Sequence, residues 1–155
     1  MTINEWSDAT AMAEAVQNKT VSPRELVEAT IREAERTNPK INAIVSQRYE
    51  KALKEAETRD FSEKPFAGVP IFLKDLGQEQ AGEPSTAGSR LFTSYRATET
   101  DNYVKKLEKL GFIILGRSST PEFGFKNISD AQIHGPVNLP DDVTRNAGGS
   151  SGGAV

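Results

Sequence analysis

Apolar positions along the chain change period several times, and each change marks an element. Ala9 to Val16 is rich in alanine, with Met12 and Val16 four apart, and predicts a short helix lying on a larger body. A stronger start signal follows: Ser22 at an N-cap, Pro23 at the first helical position and Glu25 three residues after the cap form a capping box. The helix it opens is expected over 23–37, with Leu26, Val27, Thr30, Ile31 and Ala34 as one apolar stripe and Arg24, Glu28, Arg32, Glu33 and Glu35 facing water. Asn38 and Pro39 are expected to end it. After a short apolar stretch over 41–45, a second helix over about 47–58 carries Tyr49, Ala52, Leu53 and Ala56 on a narrower stripe.

Beyond the loop at 60–68 the helical period gives way to continuous apolar runs. Val69 to Leu73 is too short for a helix and reads as a buried strand that leads into Lys74 and Asp75. A turn-rich stretch over 77–98 precedes a helix opened by Thr98 and Asp101, with Tyr103, Val104, Leu107 and Leu110 as its apolar face. Gly111 closes that helix and Phe112 to Leu115 form a second buried strand. Strand, helix and strand in this order predict a parallel crossover. The fold expected is therefore α/β: helices from the first sixty residues packed on an incomplete mixed β-sheet, with 1–155 as one segment of a single domain. From Gly116 onward regular signals thin out, and the chain runs into the glycine-rich stretch Gly148 to Gly153.

Composition narrows the picture. With 36% hydrophobic and 26% charged residues and a mean hydropathy of -0.52, the chain has the make-up of a soluble globular protein, and no apolar run is long enough to cross a bilayer. Nineteen Lys+Arg against 22 Asp+Glu, without a block of like charge, make direct nucleic-acid contact unexpected. The absence of cysteine and a single histidine exclude disulfides, thiol nucleophiles and thiolate or multi-histidine metal sites. No metal and no cofactor are expected. The first eight residues lack a basic start and an apolar stretch, so a cytoplasmic location is expected.

Two segments can carry chemistry. Lys74 follows four apolar residues, so its ammonium is partly desolvated; this lowers its pKa and favours a neutral amine able to take a proton. The alternative is a lysine that snorkels to water or pairs with Asp75. The run Gly148 to Gly153 can bring backbone amides and the hydroxyls of Ser150 and Ser151 close to a ligand, or serve as a flexible linker. It lacks the Gly-Lys-Ser/Thr ending of a phosphate loop.

Taken together, Gly68 to Leu76 and Gly148 to Gly153 resemble the two upstream motifs of the amidase signature family, in the same order and at a matching separation. Ser22 to Leu26, Asn38 to Ala43, Thr86 to Ser89, Gly116 to Gly124 and Gly135-Pro136 resemble further landmarks of that family, so the likeness covers nearly the whole chain. The resemblance implies a Ser-Ser-Lys site in which Lys74 is the base and Ser150 the relay serine, held beside a cis peptide from Gly149, with Ser151 in the supporting loop. It implies hydrolysis of a small-molecule amide, and Phe123 either lines the acyl pocket or merely packs. The family's attacking serine belongs to a third motif about two dozen residues beyond Ser150, so the 155 residues alone are expected to be inactive. Where many members have an Asn-Pro-Trp-like turn this chain has Val137 to Thr144, which bears on substrate preference. The resemblance also admits a glutamyl-tRNA amidotransferase A-like subunit, or a non-catalytic fragment that forms a homo-oligomer or joins a partner through an open sheet edge.

Overall fold

In a computed structural model, which describes residues 7–154, a three-stranded sheet carries helices on both faces. Expectations touching residues 1–6 and 155 lie outside the described residues. The elements run α1 (Ala9–Gln17), α2 (Pro23–Ile41), β1 (Ile44–Gln47), α3 (Tyr49–Thr58), β2 (Pro70–Lys74), α4 (Asn102–Leu110) and β3 (Ile113–Ser118). Strand order is β1-β3-β2, with β1 antiparallel and β2 parallel to β3, so the sheet is mixed as expected. The β2–α4–β3 unit is the parallel crossover read from the sequence.

Side chains of β3 alternate between the two faces, as a strand requires. Ile113 and Leu115 meet Val27 and Ile31 of α2 and Ala52 and Ala56 of α3. Ile114 turns the other way, to Leu73 of β2 and Val104 of α4. Beside that second layer, α1 brings Ala13 against Val69 and Phe112, where the rings of Phe66 and Phe112 stack with centroids 4.6 Å apart.

Several element ends differ from the sequence expectation, each for a local reason. α2 does not stop at Asn38 and Pro39 but runs to Ile41. Proline removes only its own amide; the amide of Asn42 still bonds the Asn38 carbonyl at 2.8 Å, and Asn42 closes the helix in a left-handed conformation. The Asn38 side chain instead bonds both backbone groups of Ile44, which turns the chain into β1. α4 begins at Asn102, and Asp101 occupies its N-cap without capping through its side chain, because that carboxylate accepts from the Glu79 amide at 2.9 Å. Tyr103, expected on the apolar face of α4, is 56% exposed. β3 extends past the apolar run through Gly116 and Arg117 to Ser118, all buried. Gly116 is needed there, since a Cβ would lie 2.0 Å from the Ser46 carbonyl of the paired β1.

Candidate active site

Lys74 is the last residue of β2, paired with Ser118 at the end of β3. Its backbone is held on both sides: its amide donates to Gln78 Oε1 at 2.7 Å, and its carbonyl accepts from Arg117 Nη1 at 3.1 Å. The next amide, of Asp75, donates to the Ser118 carbonyl at 3.0 Å. The chain therefore turns immediately after Lys74, and the side chain leaves a fixed point.

The loop bearing Ser150 is organised around Ser129, which is fully buried. The Ser129 amide donates to the Gly148 carbonyl at 2.8 Å, its carbonyl accepts from Asn146 Nδ2 at 3.0 Å, and its hydroxyl accepts from the Gly152 amide at 3.1 Å. A Cβ at Gly152 would lie 2.8 Å from that hydroxyl, and one at Gly153 would lie 2.7 Å from the Ser119 amide. The glycines thus allow the loop to lie directly against the end of β3, and it is not a free linker. The peptide between Gly149 and Ser150 is cis.

These two constructions meet. Lys74 Nζ donates to Ser150 Oγ at 2.9 Å and to Ser151 Oγ at 3.1 Å. Burial alone moves the Lys74 pKa below the ordinary lysine value. An open cavity of about 370 Å³ adjoins the amine, with Ile71, Leu73, Leu107 and Phe112 on its apolar wall and Ser118 and Ser151 supplying hydroxyls. An amine at the rim of an apolar cavity, with two hydroxyls in reach, can take up a proton from one of them once it is neutral.

Asp75 does not pair with Lys74. It is 2% exposed, and its carboxylate accepts from the Thr86 amide at 2.9 Å and from the Thr86 hydroxyl. His134 Nε2 lies 3.2 Å from that hydroxyl and 3.8 Å from Asp75 Oδ2, within reach of an ion pair but too far for a hydrogen bond to the carboxylate. Burial raises the Asp75 pKa, but the His134 ring, the two donors of Thr86 and the charge of Arg117 outweigh it and leave the group below the ordinary aspartate value.

Phe123 takes a different place. It has a left-handed backbone, is 39% exposed, and meets Phe92 edge-on with centroids 6.1 Å apart and Phe125 at 6.3 Å. It is not among the residues that line the cavity beside Lys74. Gln78, Arg117, Ser129 and His134 carry much of the local order, and sequence reading assigned none of them a role. His134 is an isolated loop histidine without periodic context. Arg117 follows a glycine just where the apolar run ends, and that position hides its burial.

A family model described as Amidase matches residues 25–154. A lipoamidase of Enterococcus faecalis is 41% identical over 152 residues, covering 97% of this chain and 21% of that protein. A 6-aminohexanoate-cyclic-dimer hydrolase of Paenarthrobacter ureafaciens is 38% identical over 151 residues, covering 96% of this chain and 30% of that one. A solved structure of 6-aminohexanoate cyclic dimer hydrolase superposes with a TM-score of 0.91 at 38% identity, over 98% of this chain and 31% of that chain. The chain thus spans between a fifth and a third of the length of these relatives.

Proposed function

The chain belongs to the amidase family, and on that premise we propose that it forms part of a hydrolase that cleaves the carbon–nitrogen bond of a small carboxamide through an acyl-enzyme. The observation that supports this reading is the 2.9 Å contact between Lys74 Nζ and Ser150 Oγ, made by an amine whose pKa burial has lowered. In the proposed reaction neutral Lys74 accepts the Ser150 proton, and Ser150 takes one from a nucleophilic serine as that oxygen attacks the amide carbonyl. The proton returns by the same route to the leaving nitrogen as the carbon–nitrogen bond breaks, and water then hydrolyses the resulting ester. Gly149 and Ser151 support the relay: Ser151, at 3.1 Å, is a second hydroxyl that holds the amine in place. The nucleophile and the oxyanion donors are proposed to lie outside these 155 residues.

A small carboxamide suits the cavity at Lys74, which is walled by apolar side chains and has hydroxyls within it. The relay uses side chains alone. The test is replacement of Lys74 by alanine in the protein at full length, assayed on a panel of small amides: loss of turnover supports the reading, and wild-type turnover overturns it.

A further inference from the structure

Arg117 is 2% exposed, on the central strand of the sheet. A cation in such a place ordinarily spends its donors on a carboxylate. The charges of Asp75, Glu79, Glu83 and Asp101 act on it, yet no ion pair within 4.0 Å joins its guanidinium to any of them among the described residues. Its fork is turned to the main chain: Nη1 donates to the Lys74 carbonyl at 3.1 Å and Nη2 to the Gln78 carbonyl at 2.7 Å. The amide of Lys74 donates to the Gln78 side chain at 2.7 Å, so the turn from Lys74 to Gln78 is closed on itself; the Asp75 amide ties its start to Ser118 of β3, and the Arg117 side chain alone reaches both of its ends.

We infer that Arg117 is a positioning residue for the Lys74 amine, bracing the 74–78 turn so that Nζ stays against the Ser150 and Ser151 hydroxyls. What the amine does there rests on the reading proposed above; that Arg117 fixes its place does not. A planar guanidinium reaches two carbonyls at once from a single rigid group. An ammonium at the same position keeps the charge that balances the nearby carboxylates but is a single point donor. Losing the brace loosens the turn that follows Lys74, whose start stays paired with Ser118, and the long lysine side chain then gains access to water.

The test follows the Lys74 side chain directly in the 155-residue chain, by the pH titration of its Cε resonance in lysine-labelled protein, with circular dichroism reporting the fold. Arg117→Met is expected to move the Lys74 midpoint upward, toward the ordinary lysine value. Arg117→Lys is expected to move it in the same direction by less. An unchanged midpoint in folded Arg117→Lys overturns the inference, because that variant keeps the cation and removes only the two-pronged brace, whereas Arg117→Met also removes a like charge that by itself would raise the Lys74 midpoint. Should Arg117→Met fail to fold, Arg117→Lys still decides the matter. The catalytic reading fails separately: if Lys74→Ala at full length leaves turnover intact, Lys74 is not the base, and the titration result stands regardless.

Discussion

Lys74 Nζ lies 2.9 Å from Ser150 Oγ, although 76 residues separate the two in the chain. Two structures that meet at the end of β3 bring this about. The parallel pairing of β2 with β3 sets Lys74 at the end of a buried strand, and the buried Ser129 gathers the glycine-rich loop against the end of β3. Different side chains hold the two ends of the contact, so it can be broken from either side.

Removing the amine should remove the chemistry. Lys74→Ala in the protein at full length is expected to lower kcat by about 100- to 10,000-fold, the range a general base contributes, with KM little changed. Lys74→Arg is expected to be equally inactive, since a guanidinium does not give up its proton. In the unaltered protein kcat/KM is expected to rise with pH as Lys74 loses its proton. The midpoint of that limb should fall below the ordinary lysine value, because burial disfavours the charged form. A limb at or above that value argues against Lys74 as the titrating group.

Asp75 should matter for stability and not for proton transfer. Its folded pKa lies below the ordinary aspartate value, so the stability it contributes is present above that value and is lost as pH falls through the folded pKa. Asp75→Asn leaves Thr86 and His134 without their anion and is expected to cost about 1–3 kcal/mol near neutral pH. Urea unfolding at neutral and at strongly acidic pH checks this: the gap between the two proteins should narrow on acidification.

Much of this was legible in the sequence because the apolar periods were clean. The capping box at Ser22, the α2 stripe through Val27 and Ile31, and the two apolar runs around Leu73 and Ile114 led to the α/β assignment. The resemblance named Lys74 and Ser150 together, a pairing that no local pattern could supply across so long a separation. What escaped were polar residues buried by tertiary context. Arg117 and Ser118 continue β3 after the apolar pattern has stopped, and Asn42 closes α2 beyond a proline. Ser129 and His134 sit in a loop where neither period applies, so only the folded chain shows what they hold.

The 155 residues by themselves are expected to show no amidase turnover and to form no adduct with a serine-reactive phosphonate. On the proposed reading Lys74 and Ser150 supply a base and a relay, whereas the attacking oxygen and the oxyanion donors come from elsewhere; each such donor is worth about 3 kcal/mol. Intact mass before and after phosphonate treatment, beside an assay on small amides, decides it. A stoichiometric adduct would show that Ser150, Ser151 or another hydroxyl of this segment can act as nucleophile.

The proposed relay should also fail when the loop is lifted from the strand with Lys74 untouched. A Cβ at Gly153 would stand 2.7 Å from the Ser119 amide and 2.8 Å from the Ala43 carbonyl, two groups already joined by a 2.8 Å hydrogen bond. Both obstacles are main chain, so the loop has to yield. Gly153→Ala is therefore expected to draw Ser150 and Ser151 away from the amine, at an overpacking cost of about 1–3 kcal/mol. The two layers of the core lie elsewhere, on α2, α3, α4 and the sheet, and should remain intact. The expected signature is an unchanged far-ultraviolet spectrum, faster proteolysis near residue 150, and a Lys74 Cε resonance that titrates closer to ordinary lysine. Titration identical to the parent protein would mean that the loop does not set the environment of the amine.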